Sequence, residues 1–552
     1  MRDPAENVEN RQYTLRLLET ERFDLCVVGG GITGVGIALD AATRGLHVAL
    51  LEQEDFAAGT SSRTTKLIHG GLRYLAQGQF KVTREASIER RHLLKLAPDL
   101  VKPLQFVAPI HGFADRLIME AGLTGYDLLA SLQNVRNHYA ISRSQLYHWF
   151  PILRGAEYSG GLVYYDAQTD DARLTIMVAR EAARYGALIA NHCQVMKLQG
   201  EKRVDRLLCR DTLTGREFLV QARRVILATG VWIDDLLGSG QQRPALVRPA
   251  KGVHLILPQH VIGSKRALLM RFPEDKRYVF AIPWKGRTLL GTTDTNYNGP
   301  LDAPPVSEED VHYLLQVLHV CAPFAKATET DILGAQAGLR PLVNKVGKSA
   351  DAISREDRII VDPRGFLTII GGKLTTYRSM ARKAVDQAVG LLISDGILSS
   401  FPASRTGEVP IGGFPLGKAG EIGRDKLRQD LRAVFDEEVT NHLLASYAAG
   451  AQEILRLALQ QPDLKERIVP ELPVLRVEAL YATQAEWALT LDDVLTRRLG
   501  LTLLAPRSTL DVAHSVAQLI APLVGWNSRD IDHQFDLYKE VTYQHTWPPT
   551  RA

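Results

Sequence analysis

Residues 23–52 read FDLCVVGGGITGVGIALDAATRGLHVALLE, and few folds accommodate them. The apolar run from Phe23 to Val28 has the composition of a parallel strand buried on both faces. It leads directly into Gly29-Gly30-Gly31, with Gly34 and Gly36 following. The spacing Gly29-x-Gly31-x-x-Gly34 predicts a tight turn opening a helix over roughly 34–44, where Ile37, Ala38, Ala41 and Ala42 offer small apolar contacts. A second strand, His47 to Leu51, ends at Glu52. Together these are the parts of a dinucleotide-binding βαβ unit. The glycines, with Ile32 and Thr33 between them, let the backbone approach a pyrophosphate. The helix start supplies unpaired N–H groups and a partial positive charge. Glu52 is placed to accept two ribose hydroxyls, so the ligand carries an unphosphorylated ribose: FAD or NAD.

The rest of the composition narrows the class. A chain of 552 residues with 45% hydrophobic and 23% charged residues buries several cores and predicts three or four domain-sized units. A net charge of +4 is too mild to argue for nucleic acid, though a basic face toward an anionic membrane stays open. Cys26, Cys193, Cys209 and Cys321 lie far apart and form no C-x-x-C pair, so neither a metal cluster nor a disulfide framework is expected, and the setting reads as intracellular and reducing. The polar start, MRDPAENVEN, lacks the apolar core of a secretory signal. No run of about 18 apolar residues predicts a membrane span.

Two more segments choose the cofactor. Residues 218–232, FLVQARRVILATGVW, predict a strand ending in Ala228-Thr229-Gly230, with Trp232 just beyond. This resembles the ATG strand end that packs near FAD in two-dinucleotide-binding flavoproteins. Residues 60–75, TSSRTTKLIHGGLRYL, show neither a helical stripe nor strand alternation, so burial does not account for their donors.

With GGKLTTYR at 371–378, KGVHLILP at 251–258, IPWKGRTLLGTTD at 282–294, GLRPL at 338–342 and DDARL at 170–174, that stretch resembles the FAD-dependent, respiratory glycerol-3-phosphate dehydrogenases. The likeness covers about residues 22–395 continuously and the tail more loosely. It implies an α/β fold: a two-dinucleotide-binding-type, glutathione-reductase-like FAD domain interleaved with an α+β substrate domain. It implies oxidation of sn-glycerol 3-phosphate to dihydroxyacetone phosphate, with electrons passing through FAD to a membrane quinone. A protein held peripherally on the inner face of the cell membrane, cytoplasmic and homodimeric, belongs to the same expectation.

On that resemblance, Thr60, Ser61, Ser62 and Thr65 supply hydroxyls beside the flavin, Lys66 and His69 reach the ring region, and Gly70 and Gly71 let the backbone lie flat against the isoalloxazine. Arg73, Arg340 and Arg355 form the clamp on phosphate and glyceryl, assisted by Tyr74, Thr293 and Lys373. A phosphate dianion suits planar arginine forks. Removing hydride from C2 requires a base for the hydroxyl proton, and histidine suits that role. His254 is the first candidate and His69 the second, with Arg340 polarising the C2 oxygen. Gly371 and Gly372 end the strand FLTII, and a helix beginning near Leu374, with Thr375, aims its positive end at the flavin's pyrimidine edge beside Lys373.

The FAD domain is expected to comprise 20–95, 166–245 and 356–400, and the substrate domain 96–165 and 246–355. The segment 113–133 reads as a core helix or as a surface that docks on lipid. The Gly/Pro-rich stretch 408–420 reads as a linker to an all-helical cap, 405–545, in which Trp487, Arg497 and Arg498 also resemble the family's tail. No D-x-D-x-D-G loop for calcium occurs. Rival readings are an oxidase passing electrons to oxygen, an amino-acid oxidase, which needs no arginine clamp, and a non-catalytic flavin-binding sensor module.

Overall fold

The computed structural model describes residues 7–71, 79–129, 136–238, 244–344 and 357–548. The strand Arg22–Val28 lies between Val48–Leu51 and Glu217–Leu227 and is parallel to both. Leu25, Cys26 and Val27 are fully buried, as a two-sided parallel strand requires. The sheet continues through Leu188–Ala190 on one side and Leu367–Ile370 on the other, with Arg358–Val361 antiparallel at the edge. An antiparallel pair, Cys193–Gln199 and Arg206–Asp211, extends from Glu217–Leu227. Helices Ile32–Thr43, Asp171–Arg184 and Tyr377–Ser394 share one core with this sheet. Leu15 and Leu18, from a helix Asn7–Thr20 that the sequence reading did not anticipate, join the core on the opposite face. All four cysteines are buried and free.

The second sheet is built on the long strand Val247–Pro258, which pairs with Gly334–Val343, Arg287–Gly291 and Thr295–Asn296. It runs on through Tyr278–Trp284, Ala267–Arg271, Val101–Ile110 and Gly160–Thr169. Its last strand is Leu67–Ile68, paired with Gln168 and Ala167. The chain therefore passes into the second sheet well before the expected 95/96 junction. The cavity-facing side of this sheet joins a core shared with the helical tail: Phe106, Tyr164, Ile256 and Trp284 belong to one buried cluster with Leu431, Tyr447, Leu491 and Tyr538.

The tail is helical, from Lys418–Arg432 to Ser528–His545. The stretch expected as a linker is packed rather than loose. Val409 and Ile411 are buried, the Ile411 amide donates to the Leu96 carbonyl at 2.7 Å, and the Ala449 amide donates to Gly412 at 3.0 Å. Helix Phe113–Leu129 packs one side into the core, with Leu123 and Tyr126 buried, while Phe113, Leu117, Ile118 and Leu128 are exposed. Among the described residues no helix is long and apolar enough to cross a membrane.

Candidate active site

Two cavities meet above the first sheet. The larger, about 870 Å³, begins at Glu52, Gln53 and Glu54, passes Gly29, Gly31, Ile32 and Thr33, then Ala228, Thr229, Gly230 and Trp232, and ends at Gly371–Leu374. Gly29 has φ 110, and a Cβ there would lie 2.5 Å from the Ala228 carbonyl oxygen, so only glycine serves. A Cβ on Gly34 would overlap the Gly29 carbonyl, so Gly34 permits helix to pack on strand and does not line the cavity. Glu52 accepts hydrogen bonds from the Gly30 amide at 2.5 Å and the Glu54 amide at 2.9 Å. Burial nonetheless pushes its carboxyl up to about 7, a cost that hydroxyl donors from a ribose would relieve. Ser61 Oγ accepts from the Ile32 amide at 2.9 Å and holds the loop against the helix start. The glycine cradle, the terminal acid and the helix N-terminus fit a dinucleotide with an unphosphorylated ribose, and so fit FAD.

The second cavity, about 690 Å³, lies between the two sheets. Thr60, Pro341, Gly371, Gly372, Lys373 and Leu374 line both cavities, so the junction falls on the strand-glycine-helix corner. Gly371 and Gly372 have φ 77 and 86, and the chain then enters a helical turn at Leu374–Thr376 and the helix Tyr377–Ser394. This is the helix start expected near Leu374. On the far side stand His254, Arg340, His69, Thr65 and Gly71.

Arg340 projects from Gly334–Val343. Its Nη1 donates to Asp294 Oδ1 at 3.1 Å and the Lys251 carbonyl at 3.2 Å, and Nη2 donates to Thr292 Oγ1 at 3.0 Å and the Thr293 carbonyl at 3.2 Å. Gly252, on the neighbouring strand, makes room for it: a Cβ there would lie 2.6 Å from Arg340 Cζ. His254 lies opposite Gly291, where a Cβ would be 2.9 Å from the imidazole Cγ. Its Nε2 is 3.0 Å from Thr65 Oγ1, while Nδ1 is buried without a hydrogen-bond partner. Burial, then the charges of Arg340 and Lys66, pull its pKa down to about 3, so the ring is neutral. His69 is held through its backbone by Thr375 Oγ1, which accepts from the His69 amide at 3.1 Å.

Other expected residues stand elsewhere. Lys66 is buried, with Nζ 2.5 Å from Asp171 Oδ1 and 2.5 Å from the Ser62 carbonyl; it lines neither cavity, because Asp171 and not the ring region compensates its charge. Thr293 is also turned from the cavity, its Oγ1 accepting from the Val253 amide at 3.0 Å to join two strands. Ser62 and Gly70 line neither cavity. The Gly70 amide donates to Tyr126 Oη at 2.8 Å, and Tyr126 donates to Asp166 at 2.7 Å, so this network braces the HGG turn from behind. Arg73, Tyr74 and Arg355 lie outside the described residues.

The sequence reading missed Arg63, Arg277 and Asp294 in the second cavity and His192, Asp492 and Asp493 in the first, and gave Arg497, also in the first, no site role. Arg63 carried a visible signal, a cation inside the hydroxyl-rich loop; the others are assembled only by tertiary contacts. DDARL proves to be a junction. Asp170 caps the helix Asp171–Arg184 and pairs with Lys285 at 2.5 Å, Asp171 holds Lys66, and Arg173 forks onto Glu486 of the tail at 2.6 and 2.8 Å. Among the described residues no His, Cys, Asp and Glu group is arranged to hold a metal.

The FAD dependent oxidoreductase family matches residues 24–378, and the C-terminal domain of alpha-glycerophosphate oxidase matches residues 404–531. The chain is similar to glycerol-3-phosphate dehydrogenase 2 of Mycobacterium tuberculosis, with 39% identity over 534 residues that cover 96% of this chain and 89% of the relative. It is similar to the mitochondrial glycerol-3-phosphate dehydrogenase of Homo sapiens, with 36% identity over 554 residues that cover 96% of this chain and 74% of the relative. A solved structure of the glycerol-3-phosphate dehydrogenase from Bacillus halodurans, complexed with FAD, matches with a TM-score of 0.81 at 27% identity, covering 99% of each chain.

Proposed function

The chain belongs to the family of FAD-dependent glycerol-3-phosphate dehydrogenases, and on that premise we propose how its residues divide the work of oxidising sn-glycerol 3-phosphate to dihydroxyacetone phosphate. The observation that carries the reading is the junction of the two cavities at Gly371–Leu374, with Arg340 and His254 on the substrate side. FAD held along Gly29–Thr33 and Glu52 supplies the acceptor for the C2 hydrogen, which leaves as hydride.

The remaining tasks fall to side chains. Arg340, already oriented by four oxygen acceptors, points a planar fork at the substrate and steadies the alkoxide as the proton leaves. Lys373, with Arg73 and Arg355 by family resemblance, completes the grip on the phosphate. The hydroxyl proton passes through Thr65 Oγ1 to His254 Nε2, because Thr65 lines the cavity while Nδ1 is sealed from it. A bound dianion offsets the cations that depress His254, so substrate binding itself raises the imidazole's proton affinity.

The final acceptor is a membrane quinone, and the protein docks peripherally on the inner face of the cell membrane. Support comes from helix Phe113–Leu129, whose Phe113, Leu117 and Ile118 are exposed while Met119, Gly122 and Leu123 line the substrate cavity. A homodimer is part of the same proposal, as is a division into an FAD domain, a substrate domain that already takes in Leu67–Ile68 and Gly160–Thr169, and a cap over 405–545.

Anaerobic addition of sn-glycerol 3-phosphate to the FAD-loaded protein tests the reaction: the flavin absorbance is expected to bleach. Persistent yellow colour with FAD bound would refute it and leave the sensor reading. Quinone reduction without peroxide is expected in air, whereas stoichiometric hydrogen peroxide would make oxygen the acceptor.

A further inference from the structure

The tail contributes part of the wall of the FAD cavity. Thr490, Asp492, Asp493 and Arg497 line it beside Glu52 and Glu54, at the end where the acid awaits a ribose. They sit on a segment with irregular backbone: Trp487 has φ 55, and Asp493–Arg498 form a π-helical turn.

This segment grips the loop that follows Glu52. Asp55 is fully buried and receives both arginines, Arg498 at 2.5 and 2.8 Å and Arg497 at 2.6 Å. Arg497 also reaches Asp492 and Asp493, each at 2.7 Å. Asp493 in turn meets His192, a residue of the cavity wall, at 2.8 Å. The Asn191 side chain donates to Asp55 and to the Trp487 carbonyl, and the Phe56 ring sits edge-on to Trp487 with centroids 5.6 Å apart. A Cβ on Gly30 would lie 2.7 Å from Phe56 and 2.8 Å from Glu52 Cβ, so the same loop also presses on the glycine turn. The position of Glu52 thus depends on a surface supplied from more than 400 residues further along the chain, since Asp55 and Arg498 are separated by 443 residues.

We infer that the C-terminal helical domain is a working part of the FAD site. Its turn 490–498 closes the ribose end, and the clamp of Arg497 and Arg498 on Asp55 positions Glu52, so FAD binding and tail docking stabilise each other. This rests on the assignment of FAD to the larger cavity. Ligand binding and an interface that share residues must be linked reciprocally. Arg497, Arg498 and Asp55 are positioning residues; Asp492 and Thr490 face the ligand.

Hydrogen exchange of the full-length apo-protein, with and without added FAD, tests the inference without any substitution. Amides of 489–498 are expected to slow at least tenfold on FAD binding, together with those of Gly29–Thr33, while the distant helix Lys418–Arg432 stays unchanged. Asp492→Asn supplies the second measurement. Asparagine keeps one acceptor oxygen where the carboxylate gives one to Thr496 and the other to Arg497, so the apo melting temperature should fall by a few degrees at most while the FAD dissociation constant rises at least threefold. Protection at Gly29–Thr33 without protection at 489–498 would overturn the inference, and so would unaltered FAD affinity in Asp492→Asn. Protection at neither place would remove the FAD assignment, and the inference with it.

Discussion

Replacing Gly252 with alanine separates the grip of Arg340 from the stability of the fold. The new methyl carbon would start 2.3 Å from Arg340 Nη2 and 2.6 Å from Cζ, against an ordinary contact distance of 3.4 Å or more, so the guanidinium must retreat by about 1.1 Å. What must move is the far end of a flexible side chain, in a cavity with room to receive it, so the fold is little affected. The function is not spared. Retreat strains the hydrogen bonds to Asp294 and Thr292 that aim the fork, and a misplacement of about 1 Å in an oriented site costs on the order of 10²-fold. Gly252→Ala should therefore lower kcat/KM for glycerol 3-phosphate about 100-fold, or about 2.7 kcal/mol of transition-state stabilisation, with melting shifted by no more than about 2 °C. Stopped-flow measurement of anaerobic flavin bleaching reads the first, and calorimetry of the loaded protein reads the second. If bleaching stays within threefold of the parent protein, Arg340 does not touch the reacting substrate. If melting instead falls by 10 °C, Gly252 serves strand packing and not the fork.

Three further outcomes are expected. Because Glu52 is raised to about 7 and ribose hydroxyls favour its ionised form, FAD binding must expel a proton at lower pH; titrated apo-protein should bind FAD about tenfold more weakly at pH 6 than at pH 8, and Glu52→Gln should flatten that slope. Thr65→Val should slow flavin bleaching by one to two orders of magnitude, with Thr65→Ser near normal, if the hydroxyl relays the proton; equal rates in both variants would exclude the relay. His254 stays neutral in the native state down to about pH 3, whereas the unfolded imidazole protonates below about 6.5, so stability falls as pH drops through that window, by about 2 kcal/mol at pH 5. Denaturant titrations of His254→Phe should lack that share of the acid loss.

The elements legible in the sequence are those whose signal is local. Gly34 is needed because its helix packs on the Gly29 carbonyl five residues earlier, Gly29 announces its own positive φ, and Glu52 directly follows the very next strand. Gly371 and Gly372 likewise announce their own positive φ. His254 and Arg340 could be placed in one cavity because family resemblance stood in for contacts that spacing does not reveal. Lys66 was misread for the complementary reason. It lies among hydroxyls that suggest a ligand, yet Asp171, 105 residues away, takes its charge. Thr293 was misread because a threonine bracing a strand looks in sequence like one bound to substrate. Arg173 and Arg498 stand out only through family resemblance, and their roles were not legible, since nothing local marks a side chain as a bridge to a distant carboxylate.

The apolar core that the second sheet shares with the tail has a consequence for biosynthesis. Phe106, Tyr164 and Ile256 are translated long before Leu431, Leu491 and Tyr538, which complete the same buried cluster. At roughly 5–20 residues per second, the ribosome needs on the order of ten seconds to make the covering helices, and a two-sided sheet waits for that time with one oily face bare. The growing chain therefore invites chaperone capture at a predictable moment, and any gene truncated near residue 404, where the matched C-terminal segment starts, should yield aggregate instead of a smaller enzyme.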